Sequence, residues 1–438
     1  MIFSTRDKIF DGAIWFAELE LPSVSKFDQL KEQGCELSID STSSDCNWEM
    51  TIKHPDWGTG RLICPLKPAK ADLEVIQHNA LMTPQEMQNF RDDMISMAFS
   101  YEGDGSCILA QYKNALRMIN AIICDDGVGC IDYNSYAIWT AENLALEVGH
   151  DAILDPQHLI SYHIIRHDNQ SVSLHSHGLT DLGLFDFEIL NPDPELVGRD
   201  FSVLRAITLE IFQGNLKSDS PKFAIGDNLM RMVPVEDFNK YASMDDMYFR
   251  RFTNDDKHNS NRSVCCQMPG KLLGKLSKNI KIAKFLTRSV ESHREVHVND
   301  ELTAIIANRS QASWSVLGQL ADDFHEFNFN IHVKLIAQTP DGKEITHQPL
   351  WFLVDEFKDD HVDVTLHAKP DYITDISVGY SDIFKIDKVL EWRIETPLGY
   401  VTSYNDLPAR FIMQQDEQFR KALRLIAKRQ TGQIAATR

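Results

Sequence analysis

The chain has 438 residues, 43% hydrophobic and 25% charged, which is the composition of a globular protein with room for two or three domains. Its 44 basic residues against 64 acidic ones leave a net charge of −20, a field that repels phosphates and disfavours nucleic acid or an anionic membrane as main partners. No apolar run reaches the roughly 18 residues of a transmembrane helix, and Asp7, Lys8 and Asp11 interrupt the stretch an export signal would need, so the expected compartment is the cytoplasm.

The N-terminal stretch alternates in the manner of strands. AIWFAELELP is one such run, and WEMTIKH and GRLICPL flank the turn sequence Pro55 to Gly58. At Thr83 the character changes: Thr83, Pro84 and Glu86 form a capping box, and Met87, Phe90, Met94 and Ile95 follow at helical spacing. A strand SMAFSYE, a helix from Ile108 to about Ile122, a strand and turn GVGCIDYNSYAIW and a helix AENLALEVGH come next. Gly127 and Gly129 lack the third glycine and the ribose-binding acid of a dinucleotide fingerprint.

The block LISYHIIRHDNQSVSLHSHGLTDLGLFDFEILNP reads as strand, loop at His167 to Gln170, strand, turn, strand. A helix SVLRAITLEIFQGNL and a strand pair around the Gly-Asp-Asn of residues 226–228 follow. Beyond the polar excursion RRFTNDDKHNSNRS, the stretch GKLLGKLSKNIKIAKFLTR places Lys271, Lys275 and Lys278 on one face of a basic linker helix. It is not a phosphate loop, because only three residues separate Gly270 from Gly274 and Leu276 stands where the magnesium-binding hydroxyl belongs. The rest reads as a helix from about Asn308 to Phe324, strands FNIHVKLIAQ, LWFLVDEF and HVDVTLHAKP with a turn at Asp341-Gly342, and a final helix DEQFRKALRLIAKR with a frayed tail QTGQIAATR. The fold class is therefore α+β, with mixed or antiparallel sheets covered by helices. Its parts are an N-terminal sandwich over 1–150, a second α+β part over 151–290 that ends in the basic helix, and a C-terminal α+β domain over 291–438.

The chemistry concentrates in one motif. His175 and His177 are two apart on a strand, so both imidazoles face the same side and are able to reach one ion. Two ligands do not complete a zinc site. Further ligands in the same block are His163, expected on a neighbouring antiparallel strand, and His167, Asp168, Asp181, Asp186 and Glu188. The binding residues expected here are His175, His177, Asp181 and Glu188; the metal alternative uses His163, His175 and His177 with zinc or another divalent ion. No nucleophile elbow, HExxH helix or cysteine–histidine pair supplies a catalytic set. Cysteines 35, 46, 64, 107, 124, 130, 265 and 266 show no C-x-x-C spacing and read as reduced thiols, with a redox role for the vicinal Cys265-Cys266 left open.

The same motif carries a resemblance. LHSHGLTDLGLFDFEIL resembles the H-T-H-G-L…G…E-I hallmark of the bacterial domain-of-unknown-function family 4026, with Ser176 in place of the usual threonine and Asp181 where a basic residue is usual. With QYKNALRMINAII and CIDYNSYAIW, the similarity extends over about residues 30–250. The C-terminal region is similar to domain-of-unknown-function family 2314 in its strand order, its LWF strand, Leu366 to Pro370 and Glu391-Trp392. Neither family implies a reaction; related families beside toxin genes imply an immunity-type binding role. The expected function is thus a non-enzymatic binding protein with a protein partner. Its alternatives are a metal-dependent hydrolase on His175 and His177, and a small-molecule sensor using a pocket between domains.

Overall fold

The computed structural model describes residues 8–17, 20–39, 45–67, 76, 82–91, 93–103, 107–124, 126–166, 172–190, 204, 207–208, 210–212, 214–220, 223–225, 228–238, 262–267, 281–282, 300–337, 348–358, 360–370 and 376–436. They form an α+β protein of three sheets.

The first sheet contains β1 (Lys8–Phe16), β2 (Glu36–Ile39), β3 (Cys46–His54), β4 (Gly58–Pro65), β5 (Ile95–Glu102), β6 (Gly127–Asp132) and β7 (Ile138–Thr140), ordered β2-β3-β4-β5-β1-β6-β7 and antiparallel throughout. Alternation along β1 covers both faces. Phe10, Ile14 and Phe16 join the main core, while Ala13 and Trp15 join a smaller cluster with Phe90, Met94 and Ile131. The capping box of α1 (Pro84–Asn89) is present, with the Glu86 amide donating to Thr83 Oγ1 at 3.1 Å and the Thr83 amide to Glu86 Oε2 at 2.9 Å. The helix is shorter than the spacing predicted: Phe90 is already extended, and Ile95 opens β5 because strand pairing with β1 overrides the local apolar rhythm. Helix α2 (Ile108–Ile123) lays its apolar face on this sheet, and α3 (Ala141–Val148) follows β7, capped by Thr140.

The second sheet contains β8 (Ser161–Arg166), β9 (Val172–His177), β10 (Asp186–Leu190), β11 (Phe223–Ile225), β12 (Asn228–Pro234), β13 (Arg262–Gln267) and β14 (Lys281–Ile282). Its order is β11-β12-β13-β10-β9-β8, with β14 on β13; β10 and β13 are parallel and the other pairs antiparallel. Lys281 and Ile282 therefore lie in a strand, not in the basic helix expected there, because their backbone groups pair with Cys266 and Gln267. Most of that basic stretch, the loop His167 to Gln170 and the turn Asp341-Gly342 lie outside the described residues. Leu174, Phe187, Ile189, Met230 and Met232 face the helical residues Leu204, Ile207 and Ile211 in one apolar cluster that also takes in the first sheet. Each such side chain removed from water contributes about 1.5–3 kcal/mol.

The C-terminal region has its own cluster, from Leu317 to Leu423. The short helix α4 (Val235–Phe238) follows β12 of the second sheet; here, helices α5 (Asp300–Ala312) and α6 (Trp314–Asp323) replace the single helix predicted from Asn308, and Ser313 breaks the run, its Oγ donating back to Arg309 O at 2.8 Å. The sheet contains β15 (Asn330–Ala337), β16 (Gln348–Phe357), β17 (His361–Leu366), β18 (Ser381–Lys385), β19 (Glu391–Thr396) and β20 (Gly399–Thr402), ordered β18-β17-β16-β15-β19-β20. After α7 (Leu407–Met413), α8 (Glu417–Ala436) continues through most of the tail predicted to fray.

Buried ion pairs join this region to the rest. Glu147 of α3 accepts two hydrogen bonds from the Arg309 guanidinium and one from Lys113 Nζ at 3.1 Å. Arg309 Nε also donates to Ser403 O at 2.6 Å. Burial pushes Glu147 up, but Arg309, His158 and Lys113 outweigh it and hold the carboxyl down to about 2. A second pair sets Arg410 of α7 against Glu86 of α1. Among the described residues no helix is long and apolar enough to cross a membrane.

Candidate metal centre

The three histidines of the central motif meet on the side of the second sheet away from Leu174. Register places His163 of β8 directly across from His175 of β9, and His177 follows two residues on. The ring centroids of His163 and His177 are 4.5 Å apart, those of His175 and His177 4.6 Å, and those of His163 and His175 5.3 Å. His175 Nε2 lies 2.8 Å from His177 Nε2, and one ligand nitrogen from each ring falls within 4.8 Å of the other two. Three imidazoles on one ion at tetrahedral zinc–nitrogen distances have nitrogens roughly 3.4 Å apart. The 2.8 Å His175–His177 contact is shorter than that value, and the 4.8 Å upper limit on the set leaves room for it.

The electrostatics suit ligation. Burial, with help from the positive charge of Arg262, lowers the His163 pKa to about 4, so its ring is neutral at physiological pH. His163 Nε2 is buried without a hydrogen-bond partner. The short His175–His177 contact is an N–H···N hydrogen bond, in which one Nε2 carries the proton and the lone pair of the other accepts it; an ion bound there would take the place of that proton.

The neighbouring residues explain why the sequence folds this way. Ser176, fully buried and pointing opposite to its histidine neighbours, donates to Asp186 Oδ1 at 2.9 Å and accepts from the Phe187 amide at 2.9 Å. Asp186 also receives Thr180 Oγ1 at 3.0 Å and the Leu179 amide at 3.3 Å. This brace ties β9 to β10 and holds the end of the strand that carries both histidines. Gly178 turns at φ +104°, and a Cβ there would sit 2.0 Å from Leu159 O and 3.0 Å from Ser135 Cβ. The glycine is required twice, by conformation and by space.

The sequence does not mark Tyr136 as a site residue, yet its ring lies 5.2 Å from the rings of both His163 and His177. It adopts φ +56°, uncommon for a bulky side chain and a form of strain that gathers at functional sites. Asp132 anchors the loop that presents it: Oδ2 accepts from Tyr112 and Ser135 hydroxyls at 3.0 Å each, and Oδ1 from the Asn134 amide at 3.1 Å. Burial still raises the Asp132 pKa to about 6. No local signal marks Tyr136, since its approach depends on packing between two sheets.

Of the other residues expected here, Glu188 is the register partner of His175, buried, with Oε2 4.0 Å from Arg262 Nη1. Asp186 belongs to the brace. Asp181 contributes backbone to the turn Thr180–Leu182, while its side chain, like His167 and Asp168, lies outside the described residues. Cys265 is buried; the Cys266 side chain lies outside the described residues. No family model, curated protein or solved structure matches the chain.

Proposed function

We propose that this protein binds a zinc-class divalent ion through His163, His175 and His177, and that hydrolysis is the reaction class the ion serves. The observation that carries this reading is the convergence of three imidazole nitrogens from two paired strands, all within 4.8 Å. Imidazole suits zinc, copper, nickel and iron, and three protein ligands leave a coordination position for water or substrate. An ion held there supplies a Lewis acid. The chain supplies the rest: strand register fixes two ligands opposite each other, the Ser176–Asp186 brace holds the third, and Tyr136 packs against two of the rings.

Metal analysis of the full chain, stripped with chelator and titrated with zinc, is expected to give one ion per chain. His163→Ala and His177→Ala are each expected to abolish it. Absence of stoichiometric zinc, copper, nickel or iron binding rules the reading out. Zinc-dependent turnover of p-nitrophenyl esters or phosphates, lost in the same variants, then tests the hydrolytic part. The immunity-type protein partner is a separate proposal resting on net charge and family resemblance; a pull-down from the host that recovers no stoichiometric partner removes it.

A further inference from the structure

A second concave site lies between the N-terminal region and the C-terminal domain. It is a cleft of about 430 Å³, with Trp139, Leu146 and Ile160 on one side and Val316, Leu320 and Trp392 on the other. That volume falls within the range of small-molecule sites, which combine apolar walls with a few polar groups. We infer that the cleft binds an uncharged, ring-containing small molecule that bridges the two regions. The inference does not depend on a metal ion.

Charge decides the ligand class. The formal charges set into the walls are engaged with one another: Glu147 with Arg309 and Lys113, and Arg410 with Glu86 and Asp406. An anionic ligand seeking Arg309 or Arg410 would have to displace a buried carboxylate, leaving that carboxylate without its partner. Glu142 and Asp323, exposed on opposite walls of the cleft, add negative field where a ligand enters. Polar recognition is left to uncharged groups such as Ser161, Asn143 and Gln319. Trp139 and Trp392, 3% and 1% exposed, back the two walls as rigid apolar bodies behind the more exposed Leu146 and Met413.

Two dyes with one ring system test this. N-phenyl-1-naphthylamine is neutral, and 1-anilinonaphthalene-8-sulfonate is the same skeleton carrying a sulfonate. Titrated into the full chain, the neutral dye is expected to show saturable fluorescence at one site per chain, with the sulfonate weaker by roughly fivefold or more. Leu146→Trp and Met413→Trp fill the cleft from opposite walls; both positions are more than a third exposed, at 39% and 50%, so a larger side chain has room to enter without disturbing the core. Either variant is expected to weaken the neutral dye by roughly tenfold, with the circular-dichroism melt unchanged. His163→Ala is expected to leave dye binding as it is, which separates this result from the metal reading. No saturable binding, or binding untouched by both filling variants, overturns the site. A sulfonate that binds as tightly as the neutral dye overturns the ligand class. Should one variant fail to fold, the other, on the opposite wall, decides.

Discussion

Two clusters of buried polar groups stand close in sequence and are built on opposite principles. Around Glu147, charge answers charge: Arg309 and Lys113 neutralise the carboxylate, and Ser403 O takes the guanidinium Nε–H. Around His175, imidazole meets imidazole and no formal charge is balanced within the triad. The first arrangement is complete and its geometry joins two regions, so it acts as a fastening. The second brings one ligand nitrogen from each of three rings within 4.8 Å of the other two, which is why the candidate chemistry is assigned there. Strong pKa displacement alone does not separate them, since Glu147 and His163 are both displaced.

The comparison breaks most readily at Arg309. Arg309→Ala leaves a buried carboxylate with Lys113 as its main partner and removes the hydrogen bond to Ser403, so urea unfolding is expected to show a loss of about 3 kcal/mol. A loss under about 1 kcal/mol would mean that the pair is not a fastening. The histidine cluster is expected to respond to metal instead. Zinc at about 100 times its Kd is expected to raise wild-type stability by about 2.7 kcal/mol, with no gain in His163→Ala. An equal gain in that variant would place the zinc elsewhere.

Acid separates the clusters by pH window. The folded-state pKa of His163, about 4, lies below its ordinary 6.5, so the unfolded chain takes up the proton first and stability falls between those values as pH drops. His150 and His332, also near 4, act in the same window. Glu147 is held near 2 against an ordinary 4.5, so its contribution is present above 4.5 and lost from there downward. In chelator, His163→Gln is expected to flatten only the upper window, by on the order of 1 kcal/mol after allowance for solvent screening. Flattening of the lower window instead would reverse the assignment.

How much of this was legible in the sequence follows from the range of each interaction. The capping box at Thr83 and Glu86 spans three residues and reads directly. So does the strand–turn–strand of the histidine motif, and the placement of His163 opposite the pair needed only antiparallel alternation, which register provides. The motif's own composition reads differently once Ser176, Thr180 and Asp186 are seen as a brace: three of its seven polar residues hold the turn. What was hidden depends on distant partners. Glu147 reads as one more acid on an amphipathic helix because Arg309 lies 162 positions away. Helix α1 ended early, and Lys281 and Ile282 became a strand, because partners supplied elsewhere in the chain outweighed local periodicity.

Tyr136 offers the finest discrimination between the two kinds of cluster. Its left-handed backbone costs about 1–2 kcal/mol for a bulky side chain, and asparagine tolerates that conformation. In Tyr136→Asn, relief of strain and loss of ring contacts oppose each other, so the net change in stability is expected to stay within about 1 kcal/mol. Zinc affinity is expected to fall by roughly threefold, because the rings of His163 and His177 lose the surface they rest on. Tyr136→Phe keeps the ring and is expected to keep the affinity. Competition titration with a chromogenic chelator reads both variants. If Tyr136→Asn lowers stability with zinc affinity unchanged, the strained tyrosine serves packing alone, and the histidine cluster owes its geometry to its strands and the Ser176 brace.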